Sequence, residues 1–88
     1  MIDMQAIRDV EIKKLSIALE SYRHAAALQR ATAAFWQDST LQDAEARRRA
    51  ALKLADEADE KARDIEAIIR SIAIWSKQEQ TRANTGTV

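Results

Sequence analysis

His24 is the chain's one histidine, and a histidine can act as general base, proton shuttle or metal ligand. Its nearest acidic companion is Glu20, one helical turn earlier. Carboxylate di-metal bundles use Glu-x-x-His on two of their helices, and that spacing is absent. No Ser-His-Asp set can be assembled with a base near a nucleophile, and no Gly-rich run could cradle phosphate. Cysteine is missing altogether, so thiolate chemistry and disulfides are excluded. The acidic group Asp56, Glu57, Asp59 and Glu60 alternates with Ala on one stretch beside Lys61 and Arg63, which reads as a solvated face rather than a cation site. These residues predict a protein with no catalytic residue, no metal ligands and no cofactor.

Binding chemistry has two candidates. Arg47, Arg48 and Arg49 with Lys53 form the one basic cluster. On a helix the three arginines spread over ~200° of the cylinder. Asp43 and Glu45 stand one turn from Arg47 and Arg49, and no exposed aromatic is interleaved. A nucleic-acid interface here would resemble that of the Rop-type RNA-binding helical hairpins, but the local compensation of charge disfavours it. Trp36 and Trp75 are the second candidate, and packing accounts for both: Trp36 at a turn, Trp75 on a stripe with Leu54, Ala58, Ile65, Ile68 and Ile72.

The elements that carry these residues are helical. From Leu41 to about Gln80 there is neither Gly nor Pro, and apolar residues recur at steps of three and four: Leu41, Ala44, Ala51, Ala55, Ala58, Ala62, Ile65, Ile69 and Ile72, interrupted at Arg48. That spacing makes a seam for a second helix, narrow where Ala builds it and wide where Ile does. Asp43/Arg47, Glu45/Arg49, Glu57/Lys61, Asp59/Arg63 and Glu66/Arg70 stand at the spacing of helix-stabilising pairs. The preceding stretch predicts a first helix over about 3–36, capped by Asp3. It carries two apolar stripes: Ile12, Leu15, Leu19, Tyr22, Ala26 and Ala33, and on nearly the opposite side Ile7, Val10, Ile17, Leu28, Ala31 and Phe35. One stripe can pack on the second helix; the other needs another partner. Ile74 points away from the face shared by Ile65, Ile68, Ile69 and Ile72 and needs one as well.

A turn is predicted at 37–40, with Ser39 and Gln42 as a capping box or Thr40 and Asp43 in its place. Folding there pairs Ile12 with Ile65 and Glu66, Ile7 with Ile72, and Tyr22 with Ala55 and Ala58. The second helix is predicted over about 41–80 and a disordered tail over 81–88, so that 1–80 form one domain.

Composition sets the outer limits. Eighty-eight residues make one small domain, and eighteen of them are Ala, so the core is thin. Fourteen acidic and fourteen basic side chains cancel, leaving no net field toward nucleic acid or anionic membrane. No apolar run reaches the ~20 residues of a membrane span. The start lacks the basic and apolar regions of a signal peptide, which predicts a cytoplasmic protein, with export lacking a cleaved signal as the other route.

Two short motifs carry a resemblance. Trp36-Gln37-Asp38 stands at the turn and Trp75-Ser76-Lys77-Gln78-Glu79 near the end of the second helix. In this the chain resembles the Trp-x-Gly family of small type VII secretion substrates, two-helix hairpins of about this size with a Trp-x-Gly turn and an aromatic-x-x-x-acid export signal. The resemblance implies dimers and a turn-and-export role for Trp36, Asp38, Trp75 and Glu79. Asp38 replaces the family's Gly, and Trp75 its usual Tyr. The second helix also resembles, more faintly, the small helical chaperones of type III secretion needles.

The sequence thus predicts an all-α, coiled-coil-like antiparallel hairpin that assembles into a four-helix bundle or larger oligomer. Its expected role is a non-catalytic protein-protein interaction module, as a homo-dimer or hetero-oligomer. Ile7, Val10, Ile17, Leu28, Phe35 and Ile74 are the expected interface.

Overall fold

The computed structural model describes the backbone of residues 3–85 and the side chains of residues 3–78. Two helices, α1 (Met4–Gln37) and α2 (Ala44–Thr85), pack along each other as a hairpin, with no strand among the described residues. The hairpin is a flattened rod of 73 × 20 × 12 Å.

Asp3 starts α1. Its backbone is extended, and its carboxylate accepts from the backbone N–H groups of Gln5 at 3.0 Å and Ala6 at 3.3 Å. Those donors have no carbonyl one turn back, so the cap removes part of the cost of beginning a helix. After Gln37 the chain turns without any positive φ among the described residues. Asp38, at φ −102°, donates its N–H to the carbonyl of Trp36. A turn of this geometry has no need of glycine, so Asp38 is compatible with it.

The connection is longer than expected, and this moves three features. Residues 38–43 lie outside both helices. Ser39 does not form a capping box with Gln42; its Oγ accepts from Leu41 N–H at 3.2 Å, a local turn. Asp43 precedes the first helical residue, and its carbonyl accepts from Arg47 N–H at 2.9 Å. Leu41 therefore falls in the loop and is exposed. At the far end α2 continues to Thr85, beyond the predicted stop at 80. Gln78, Gln80, Arg82 and Ala83 all favour a helix and the first glycine is Gly86, so nothing local ends it earlier. Residues 86–88 of the predicted disordered tail lie outside the described residues.

The seam is the one the spacing predicts. Leu19, Ala26 and Ala33 of α1 and Ala44, Ala51, Ala55 and Ala62 of α2 are buried, Ala55 completely. Ile12, Leu15, Tyr22, Ile65, Ile69 and Ile72 are half-buried on the same lines. Alanine has no bulk to hold the axes apart, so helices can approach toward the close end of the ~8–10 Å range along that half. Two further members break the apolar pattern: buried Arg8 and half-buried Arg48.

The register differs from the expected one. Glu66 pairs with Arg23, and it lines a groove with Ser16, Leu19, Ile69 and Arg70, instead of lying beside Ile12. Trp75, not Ile72, lies at the start of α1, against Arg8. The slide is about two turns, or one heptad. Because the seam repeats every heptad, the slide leaves the same residues inside.

Candidate interaction surface

The rod has two flanks beside the seam, and they differ in chemistry. On α1, Arg23 and Arg30 each follow a seam alanine or leucine by four positions; on α2, Asp59 and Glu66 hold the equivalent places. Across this flank Arg23 pairs with Glu66, and Arg30 with Asp59, with Asp56 at 3.6 Å from Arg30. Asp59 and Glu66, expected to pair along their own helix with Arg63 and Arg70, reach instead across the hairpin. The Arg30 hydrogen bond holds the Asp59 carboxyl below its ordinary range, while Asp59 raises the guanidinium.

The other flank is apolar. Leu54, Ile68 and Trp75 lie on one seven-residue repeat of α2, with Lys61 in the place between Leu54 and Ile68, and each of the three is about half-exposed. At ~100° per residue they lie across the seam from Asp59 and Glu66. The small Ala18 and Ala25 take the matching places on α1 and are half-buried. Around α1 from them lies the second stripe. Ile7, Val10, Ile17, Leu28 and Phe35 are all exposed, from 45% for Ile7 to 74% for Phe35. With Lys14, Ser21, His24 and Ala31 in their places, these positions again step by three and four, a second seam with no helix on it. Ile74 is also exposed, on the back of α2, and does not join this strip.

Trp75 is therefore not the packed stripe residue that the sequence predicts. It sits at the edge of the apolar flank, 52% exposed, with the Arg8 guanidinium carbon 4.3 Å from its ring centroid. Trp36 at the turn end is half-buried. Arg47 stands 5.0 Å from its ring centroid, and the Phe35 ring meets it edge-on at 5.1 Å and 84°. Each end of the hairpin thus carries a tryptophan covered by an arginine of the opposite helix. Glu79, the acid of the export motif that the resemblance implies, has its side chain outside the described residues.

The basic cluster is tied down locally. Glu45 accepts from Arg48 Nε at 3.0 Å and Nη2 at 2.9 Å, and from Arg49 Nε at 3.1 Å. The Arg48 hydrogen bond above all pulls the Glu45 carboxyl down to about 2. Arg47 covers Trp36, and Lys53 is exposed. The four cations do not converge on one surface. His24 is exposed and shares a shallow dip on α1 with Lys13, Ser16, Ile17, Glu20 and Ser21. Among the described residues no three His, Cys, Asp or Glu side chains gather as a metal site, and no helix is long and apolar enough to cross a membrane.

Sequence reasoning missed Arg8, Arg23 and Arg30. The signal was present. Arg8 is in phase with Ile12, Leu15 and Leu19, and Arg23 and Arg30 stand seven apart, as do Asp59 and Glu66.

The chain matches no protein-family model, no curated protein and no solved structure.

Proposed function

We propose that this chain is a non-catalytic protein-protein interaction module, a helical hairpin whose second α1 seam receives a partner. One observation carries the reading: Ile7, Val10, Ile17, Leu28 and Phe35 lie along a single helix at seam spacing and all face solvent. Burying a large apolar side chain is worth roughly 1.5–3 kcal/mol. Contiguous exposed strips of this kind mark binding surfaces. Helices covering both strips of α1 would give a bundle, the usual closed solution for a helix that is apolar on two sides.

The test is sedimentation equilibrium at micromolar concentration on wild type and Ile17→Glu, with affinity capture of both from the native source. Association or capture that Ile17→Glu abolishes supports the reading. A helical wild type that runs as a monomer and captures nothing dependent on Ile17 sinks it.

A further inference from the structure

Within that reading, which the inference rests on, we propose that the partner is a second copy of this chain. It docks on the apolar flank with both turns at the same end, so that α1 of each copy lies against α2 of the other.

The face follows from the contrast between the flanks. One is closed by Arg23–Glu66 and Arg30–Asp59, and a helix laid there would strip water from four charges already paired. The other presents Leu54, Ile68 and Trp75 beside Ala18 and Ala25, and it continues around α1 to Ile7, Leu28 and Phe35, with Lys14 and Ser21 between Ile7 and Leu28. The small alanines leave room for a neighbouring backbone to come close.

Size and charge then fit a second copy. A rod 73 Å long and 20 Å wide offers a broad face well above the ~800 Å² that each partner gives up in a standard interface. Two copies carry no net charge and do not repel.

The orientation follows from the register. Arg8 lies against Trp75, Leu19 and Ser16 share a groove with Glu66 and Ile69, and Arg30 meets Asp59. Trp75 is therefore level with Ile7 and Val10, Ile68 with Ile17, and Leu54 with the stretch from Leu28 to Phe35. The polar positions fall between them: Lys14, Ser21 and His24 on α1, Lys61 on α2. A half-turn about the long axis sets α1 on the copy's α2 at the same level, so apolar layers meet apolar layers and Lys61 meets the copy's Ser21 and His24. Reversing one rod would lay α2 on α2 and bring Lys61 onto its own counterpart, because Lys61 lies midway between Leu54 and Ile68.

The chain has no cysteine, so Thr40→Cys in the turn accepts a single spin label. Pulsed dipolar spectroscopy then reads the label-to-label distance. A distance near the 20 Å width of the rod is expected. A distance near its 73 Å length overturns the orientation. No dipolar coupling at concentrations of tens of micromolar overturns the second copy as partner, and leaves the interaction-module reading to stand or fall on capture. In the same labelled background, Leu28→Glu on the apolar side should abolish the coupling with helicity retained by circular dichroism. Ala27→Glu, its exposed neighbour toward the ion-paired flank, should leave the coupling intact. Coupling that survives Leu28→Glu, or that Ala27→Glu alone removes, refutes the assigned face.

Discussion

The guanidinium carbon of Arg8 stands 4.3 Å from the ring centroid of Trp75, so the second turn of α1 holds the last aromatic ring of α2. Arg8 is buried although it is charged, and its alkyl stem continues the line of Ile12, Leu15 and Leu19. The residue serves the seam with its carbons and the tryptophan with its head. A cation over a partly desolvated ring contributes about 0.5–2 kcal/mol.

Arg8→Ala is therefore expected to destabilise the hairpin by about 1–2 kcal/mol, and Arg8→Lys by less, because the ammonium keeps the charge but loses the planar stack. Urea denaturation of the two variants checks this. Equal losses would show that the charge kept by lysine contributes nothing.

Ala55 is wholly buried in the narrow half of the seam. Ala55→Leu forces the helices apart and should cost about 1–3 kcal/mol. Ala50→Leu, on the exposed side of the same helix, should change stability by less than about 0.5 kcal/mol. Thermal melts of both variants separate overpacking from any general effect of the added bulk.

Acid should loosen the start of α2. The Arg48 hydrogen bond depresses the Glu45 carboxyl from its ordinary 4.5 to about 2 in the folded chain. A depressed carboxyl contributes stability that is fully present above its unfolded value and is lost as pH falls through the folded one. The melting temperature should therefore drop as pH is taken from about 4.5 toward 2. Asp59, held down by Arg30, adds to the same drop. Glu45→Gln should flatten part of the slope while lowering the melting temperature at pH 7. A variant with the wild-type slope would remove Glu45 from the account.

The cross-hairpin pairs should show their worth as a swap. Arg30→Asp alone and Asp59→Arg alone are each expected to lower the melting temperature, and the double variant to recover most of the loss, because only the double restores opposite charges across the flank. Melts at low and high salt check it, the recovery shrinking as salt screens the exposed pair.

Much of this fold was legible because a hairpin seam is a one-dimensional pattern. Ala44, Ala51, Ala55 and Ala62 were placed inside by spacing alone, and all are buried. Register was not legible from the same pattern. A seam with a seven-residue repeat looks identical after a seven-residue slide, so hydrophobicity cannot choose between the two. Charge can: Arg23 and Arg30 find Glu66 and Asp59 in one register only. The start of α2 was misplaced for a related reason. Leu41 fits the spacing of the seam, but Asp43 is the better residue to precede a first helical turn. Arg8 was overlooked because a charged residue at a seam position contradicts the binary pattern that finds seams. The exposed second stripe was visible in full, since exposure is what remains when one helix has two stripes and one neighbour.

The taper of the seam also sets how the rod comes apart. Contacts beside the turn join residues close in sequence, so they close at little entropic cost, yet Ala33, Ala44 and Ala51 give them little to hold with. The bulky grip of Ile12, Leu15, Ile69 and Ile72 lies toward the open end, where the chain must close its longest loops. The hairpin is thus shaped like a zipper whose strongest teeth are the last to engage. Pulled by its two termini, it should resist at first and then release abruptly, since each tooth that follows the isoleucines is weaker than the one before.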